Sequence, residues 1–199
     1  VERSRGLGDV YKRQIVDCGV HYLDVMCQIT QSKPLSVSAI GVRLSDEIPN
    51  DNYNYGQLQI RFEDDSVGWY EAGWGPMISE TAFFVKDVIG PNGSVSIVSD
   101  DDTFNKDSDN IENHTKNNCL KIHSSKLDSD DNFISPNRKI IYDQDPSHQD
   151  LCDYEQEYFY KSISENIDLK SHMEDAYKSL QIALACDEAV KKGKTVFLD

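Results

Sequence analysis

Apolar residues near the beginning of the chain recur at helical spacing. Four of them lie three or four positions apart: Val16, Val20, Leu23 and Cys27. The sequence Ser32-Lys33-Pro34 follows, and a proline at such a position ends a helix. The pattern therefore predicts an amphipathic helix over Ile15–Thr30.

Alternation of apolar and polar residues predicts a series of β-strands after this helix. The pattern is clearest where Leu58, Ile60 and Phe62 share one face of a strand. Turns as short as Gly90–Gly93 join neighbouring strands, and because they leave no room for a parallel crossover the sheet should be largely antiparallel. The predicted strands are Leu35–Leu44, Tyr53–Phe62, Val67–Gly73, Thr81–Ile89, Ser94–Val98, Cys119–Ile122, Lys139–Tyr142 and Val196–Leu198.

Two longer helices are predicted near the end of the chain, over Asp150–Asn166 and Ser171–Lys192, the second stopping at Gly193. Its predicted apolar face contains Ala176, Leu180, Ala183, Leu184 and Val190. The acidic segment 99–118 is read as a solvated loop or a disordered insertion. This order of elements predicts an α+β domain with a largely antiparallel open sheet and helices packed on one face.

Residues 1–14 are interpreted as a non-native, adapter-derived segment. Within them Ser4–Gln14 reads SRGLGDVYKRQ and resembles the in-frame translation of a sequencing-library adapter. Its Gly6-Leu7-Gly8 does not fit a dinucleotide-binding loop, because no buried strand precedes it and no third glycine follows. We therefore expect the natural sequence to begin near Ile15 and one α+β domain to span 15–199.

The net charge of the chain limits the kinds of molecule it is expected to bind, and its cysteine content indicates the cellular compartment. The formal net charge of −15 at pH 7 repels phosphate backbones and anionic membranes, which argues against nucleic-acid and membrane partners. No apolar run reaches the roughly 18 residues that a membrane-spanning helix needs. The five cysteines are scattered, without a Cys-x-x-Cys pair, as expected for reduced thiols in a cytoplasmic protein.

An acid–base constellation is predicted on the first helix. Asp17, His21 and Asp24 stand at i, i+4 and i+7 and so project from one helical face. Histidine titrates near neutral pH and suits proton abstraction from a hydroxyl, and a neighbouring carboxylate can orient the imidazole. Two other interpretations stay open from spacing alone. One is a surface Asp–His pair that adds little stability, and the other is a metal site of two carboxylates and a histidine.

Three further residues are candidates for substrate contacts. Glu71 and Trp74 lie at and just beyond the end of a predicted strand, where an aromatic ring can stack on a sugar face. His172 lies near the start of the last helix. The alternatives are that Trp74, like Trp69, packs on the sheet and that His172 only neighbours the helix cap.

Several motifs together resemble the C-terminal domain of the Gfo/Idh/MocA family, the glucose–fructose oxidoreductase and inositol dehydrogenase group. They are DCGVHYLDVM from Asp17, the strand pattern through YEAGWGP and KDVIGPNGSVSI, and the closing helices that begin DYEQEYFYKSI. The resemblance runs from about Val16 to Leu198. Each motif is loose, but their order and spacing are specific together.

The resemblance implies a two-domain enzyme. An N-terminal Rossmann domain would bind NAD or NADP and supply a lysine from a Glu-Lys-Pro motif. The C-terminal domain would bind a sugar, inositol or related polyol and form homo-oligomers through its open sheet face. On this chain His21 matches the general acid/base, Asp17 matches its catalytic partner, and Asp24 matches an acidic residue for which we expect a structural role; no metal is implied.

The chain departs from the family pattern in two places. Adapter sequence replaces the glycines that usually precede the motif, and the cofactor domain is not part of this sequence, so we expect the fragment alone to be inactive. Two alternatives to a polyol dehydrogenase follow. One is an NAD-dependent glycosidase of the same family, which turns over glycosides without accumulating NADH. The other is a non-catalytic oligomerisation or binding module.

Overall fold

The structure is a computed structural model that describes residues 14–17, 19–44, 46, 48–73, 86–98, 119–142, 144 and 146–198. The chain divides into two compact units. Unit 1 combines Val1–Ile78 with Asp168–Asp199, and unit 2 is Ser79–Ile167. Unit 1 is therefore assembled from both ends of the sequence.

The elements follow one another in an α+β order. The helices are α1 (Gln14–Asp17), α2 (Gly19–Thr30), α3 (His148–Ser164) and α4 (Lys170–Lys192). The strands are β1 (Pro34–Val42), β2 (Tyr55–Phe62), β3 (Val67–Gly73), β4 (Lys86–Gly90), β5 (Gly93–Ile97), β6 (Cys119–Ser124), β7 (Arg138–Ile141) and β8 (Val196–Phe197).

Unit 1 is a four-stranded sheet with helices on one face. Its strand order is β3-β2-β1-β8, and every neighbouring pair is antiparallel. Helices α2 and α4 pack on the face that carries Leu58, Ile60 and Phe62. Each of these side chains is almost fully buried, and burial of one large aliphatic side chain stabilises a fold by about 1.5–3 kcal/mol. The alternation in β2 thus decides which face receives the helices.

Helix α4 packs on the core through Ile182 and a row of small side chains. Ser179, Ala183 and Cys186 are buried, whereas the larger Leu180 and Leu184 are exposed. The buried face is therefore rotated away from the predicted one, because a row of small residues lets the helix axis approach its neighbours closely. The helix ends as predicted at Gly193, whose left-handed φ of 61° allows its N–H to donate to the Ala189 carbonyl.

Unit 2 contains a second antiparallel sheet of order β4-β5-β6-β7. The predicted turn joins β4 to β5 and pairs Gly90 with Gly93. Gly93 has φ 141°, and an added Cβ would lie 1.9 Å from the carbonyl oxygen of His123, so only glycine fits there. Helix α3 begins at a capping box in which Ser147 and Asp150 each satisfy a backbone N–H of the other.

The antiparallel α+β prediction is confirmed, with one difference in detail. The strands are divided between two sheets, where the sequence pattern favoured one. Most predicted strand limits agree within two residues. The predicted residues 81–85 of β4 and the acidic segment 99–118 lie outside the described residues.

Candidate active site

His21 lies in the first turn of α2 with its side chain exposed. The helix beneath it is held by its opposite face, where Gly19, Leu23 and Cys27 are buried. Leu23 and Cys27 belong to the same core cluster as Ile60 of β2. The His21 imidazole is therefore exposed to solvent on a helix whose opposite face is fixed in the core.

Asp17, the predicted partner of His21, is the last residue of α1. Its side chain and Cys18, which separates α1 from α2, lie outside the part of the chain that the structure describes. Ile15 of α1 is fully buried, and its Cδ1 would lie 2.8 Å from a Cβ added to Gly56 of β2. The backbone of Asp17 is thus next to a core anchor, and its pairing with His21 stays a prediction.

Asp24 faces α4 and is tied to it by a hydrogen bond. The Ser179 hydroxyl donates to Asp24 Oδ1 at 2.9 Å, and the same hydroxyl lies 3.0 Å from the carbonyl oxygen of Asp175. One turn further along α2, Gln28 Nε2 donates to Asp175 Oδ2 at 3.4 Å. From the first contact to the second, the residue on α2 moves four positions forward, from Asp24 to Gln28. The residue on α4 moves four positions back, from Ser179 to Asp175, as expected for antiparallel helices.

Two tyrosines join the first turn of α2 to β3. Tyr22, next to His21, stacks on Tyr70 with ring centroids 5.0 Å apart and an angle of 26° between the planes. A Cβ added to Gly19 would lie 3.2 Å from Cε1 of Tyr70. The small residue of the Asp-x-Gly-x-His motif therefore allows α2 to sit close to this ring.

Glu71 lies on the open face of the sheet, opposite the helices. It follows Tyr70 in β3 and so points the other way. Its Oε1 accepts a hydrogen bond from the Tyr55 hydroxyl at 2.6 Å, and that hydroxyl also accepts one from Gln57 Nε2 at 2.9 Å. The hydrogen bond to Glu71 raises the pKa of Tyr55 above its ordinary value of 10.0. The structure does not bring Glu71 to the helix-covered face that carries Tyr70, so its role as a substrate ligand beside His21 gains no support from this geometry.

The open face also carries a shallow cavity of about 360 Å³. Its lining includes Ser38, Ile40, Gln57, Gln59, Trp69 and Thr195. Trp69 is 53% exposed and sits opposite Gln59 across β2 and β3. The face therefore combines an exposed aromatic ring with amide and hydroxyl groups.

Of the two remaining predicted substrate residues, the structure describes only His172, which does not line this cavity. His172 is exposed in the first turn of α4, and Trp74 lies outside the described residues. Within the described residues no three histidine, cysteine, aspartate or glutamate side chains are grouped as a metal site would require. No described helix is long and apolar enough to cross a bilayer.

The thiols in the described part of the chain are all free, and most are buried. Burial raises the pKa of Cys186 to about 12 and also raises the pKa of Cys27. Both thiols stay protonated at neutral pH and behave as small apolar groups. They contribute to the core beneath His21 rather than to its chemistry.

Sequence reasoning missed Ser179 and Tyr70 as neighbours of the motif helix. Both lie far from α2 in the chain, and spacing along one element cannot identify a partner on another. The available signal for Ser179 was its position in a row of small residues, with Ala183 and Cys186, on one face of α4.

Comparison with solved structures places the fold among oxidoreductases. An oxidoreductase from Agrobacterium radiobacter, in complex with NAD+, L-tartaric acid and magnesium, has a TM-score of 0.66 at 14% identity, covering 99% of this chain and 53% of that one. A levoglucosan dehydrogenase in complex with NADH and levoglucosan has a TM-score of 0.64 at 17% identity, covering 92% and 49%. An aldose–aldose oxidoreductase from Caulobacter crescentus, complexed with glycerol, has a TM-score of 0.62 at 16% identity, covering 94% and 51%.

The chain spans about half the length of these proteins, and their identities are low enough that the likeness concerns the fold. A search of curated protein sequences found no match. A family model described as "Oxidoreductase family, C-terminal alpha/beta domain" matches residues 14–198. The chain therefore belongs to the Gfo/Idh/MocA oxidoreductase family, of which it carries the C-terminal alpha/beta domain.

Proposed function

We propose that this chain is the substrate-binding part of an NAD(P)-dependent oxidoreductase that acts on a sugar, an inositol or a related polyol. The observation that carries the proposal is the placement of His21, exposed on a helix whose other face is anchored in the core. The neighbours described as complexes hold levoglucosan, L-tartaric acid or glycerol, and each of these ligands carries hydroxyl groups. Their shared chemistry supports a hydroxylated substrate here.

In the proposed reaction His21 removes the proton from the substrate hydroxyl that is oxidised. A bound nicotinamide would supply the hydride-accepting chemistry at the carbon that bears this hydroxyl. In the reverse direction His21 returns the proton to the carbonyl oxygen. Asp17 is proposed to orient the imidazole, while Trp74 and His172 are proposed to contact the other parts of the substrate.

We propose that NAD or NADP is held mainly by a further domain of the whole protein. Two observations support a substrate-binding role for this chain. It matches the family's C-terminal domain, and it carries an imidazole on a helix that is fixed in the core. The Gly6-Leu7-Gly8 segment does not satisfy the requirements of a phosphate-binding turn. We further propose that the open face of β1–β3 associates with a second copy.

The test is a kinetic comparison in the protein completed with its upstream coding sequence. Reduced nicotinamide is followed by absorbance across a panel of inositols, aldoses and anhydrosugars, with NAD and with NADP. We expect His21→Ala to lower kcat/KM by about 100-fold to 10,000-fold, the usual contribution of a general acid/base. His123→Ala is the matched control, since it removes an imidazole from β6 of unit 2.

Activity of His21→Ala within about threefold of the unmodified protein would overturn the assignment. A second candidate function is that of a non-catalytic association module. If the chain is such a module, both Asp17→Ala and His21→Ala should leave the activity unchanged. The observation in its favour is the set of exposed apolar side chains on the open face, Ile40, Val67, Trp69 and Phe197.

A further inference from the structure

Helices α2 and α4 are joined by polar contacts as well as by apolar packing. Asp24 of α2 accepts a hydrogen bond from Ser179 of α4, and Gln28 of α2 donates to Asp175 of α4. We call these two contacts the α2–α4 ladder. Because a hydrogen bond has a preferred length and direction, these contacts restrict the rotation and sliding of α2 further than the apolar packing does.

The stronger contact of the ladder lies close to His21. Asp24 is three residues beyond His21 on the same helix, so their side chains are neighbours on its surface. Asp24 is half-buried, and Ser179 is only 2% exposed. A hydroxyl removed from water in this way must keep a partner, because an unsatisfied buried donor destabilises the arrangement.

Ser179 has a local partner that does not need Asp24. Its hydroxyl also lies within hydrogen-bond distance of the Asp175 carbonyl oxygen, four residues earlier. A serine with only this local bond would still be satisfied. The hydroxyl has one proton to share between the two acceptors, so the contact with Asp24 is not needed to satisfy it and instead links α2 to α4.

We propose that Ser179 is a positioning residue for His21, acting through Asp24. This inference rests on the proposed function, since it concerns the presentation of the general acid/base. The ladder sets the rotation and the axial position of α2, and so places the imidazole relative to the substrate hydroxyl. Neither Ser179 nor Asp24 takes the proton in this scheme.

Ser162 provides a matched control on another helix. It is a buried helical serine whose hydroxyl donates to the Tyr158 carbonyl oxygen, four residues earlier, at 2.7 Å. It lies in α3 of unit 2, whereas the motif helix lies in unit 1. Ser162→Ala therefore removes a comparable local bond while leaving the ladder intact.

The experiment measures kcat and KM in the completed protein for Ser179→Ala, Ser162→Ala and His21→Ala. We expect Ser179→Ala to lower kcat by about 3-fold to 30-fold with little change in KM, because small misplacements of a reacting group slow the chemical step. Ser162→Ala should leave both constants unchanged. In the His21→Ala background, Ser179→Ala should have no further effect on the residual rate.

Two results would overturn the inference while leaving the proposed function standing. One is a strong loss in His21→Ala with Ser179→Ala equal to Ser162→Ala. The other is a Ser179→Ala effect that persists in full when His21 is absent. Activity that does not depend on His21 would instead remove the proposed function.

Asp24→Asn gives a second variant in case Ser179→Ala does not fold. The amide oxygen still accepts the Ser179 hydrogen bond, so the ladder should survive and kcat should stay within about threefold. A loss comparable to that of His21→Ala would show that the charge of Asp24 acts directly, which contradicts a purely positioning role.

Discussion

The Tyr55 hydroxyl donates a 2.6 Å hydrogen bond to Glu71 Oε1 across the open face of β2 and β3. The bond stabilises the protonated phenol, because a tyrosinate cannot donate it. The pKa of Tyr55 is accordingly raised above 10.0. The contribution of this pair to stability is present below the ordinary tyrosine pKa and is lost as pH rises through the raised value.

Glu71→Ala should return the titration of Tyr55 towards its ordinary range. The measurement is a difference titration of tyrosinate absorbance between the variant and the unmodified protein, with Tyr55→Phe assigning the shifted group. Glu63→Ala removes another exposed carboxylate, in the turn between β2 and β3, and should leave the curve unchanged. Identical titrations for Glu71→Ala and Glu63→Ala would contradict the pairing.

Gly41→Ala should destabilise unit 1. An added Cβ would lie 2.7 Å from both Tyr53 Cγ and Val190 Cγ1, a ring and a branched side chain packed over β1. Overpacking of this kind lowers the free energy of unfolding by about 1–3 kcal/mol, which denaturant titration would detect.

Gly90→Ala is the control for that substitution. No atom lies within 4 Å of the Cβ it would add, so its effect should stay within about 0.5 kcal/mol. Equal free energies of unfolding for the two variants would contradict this prediction, because they would show that Tyr53 and Val190 can move away from β1 without destabilising unit 1.

Trp69→Glu should weaken the self-association that we propose for the open face. Trp69, Ile40 and Phe197 are all more than half exposed, and a charge among them carries a desolvation cost when the face is covered. Sedimentation velocity should show a shift of the variant towards smaller species over a concentration series.

Tyr160→Glu places the same charge at an exposed aromatic residue of α3, 73% exposed. It should sediment as the unmodified protein does. A shift in the Tyr160 variant with none in the Trp69 variant would place the association surface on α3 instead.

Local patterns predicted the strands well and the packing of α4 poorly. Alternation in β2 identified Leu58, Ile60 and Phe62 as the buried face, since a strand has only two faces and one excess of apolar residues decides between them. A helix, in contrast, can turn any side of its surface towards the core, so an excess of apolar residues does not define its buried side as clearly. In α4 the buried row contains Ser179 and Ala183 while Leu184 is exposed, so only part of the face predicted from hydrophobicity lies against the core.

Within the candidate site, the sequence could predict only relationships between residues of the same helix or strand. The spacing of His21 and Asp24 placed both on α2, but not the contact of Asp24 with Ser179, 155 residues away. Glu71 was read as a pocket residue from its place near a strand end. Its side chain pairs with Tyr55 on the open face, because the pleat turns it away from Tyr70, and its contact with substrate stays a prediction.

The division of unit 1 between the two ends of the chain constrains the order of events during synthesis. Leu23 and Ile60 are synthesised before unit 2, but the core that they share with Ile182 and Cys186 is complete only after α4 has been added. Terminal strand β8 then pairs with β1. Unit 2 is contiguous and ends at Ile167, so all of it is synthesised before α4, and the core beneath the helix that carries His21 is completed only after unit 2 has been made.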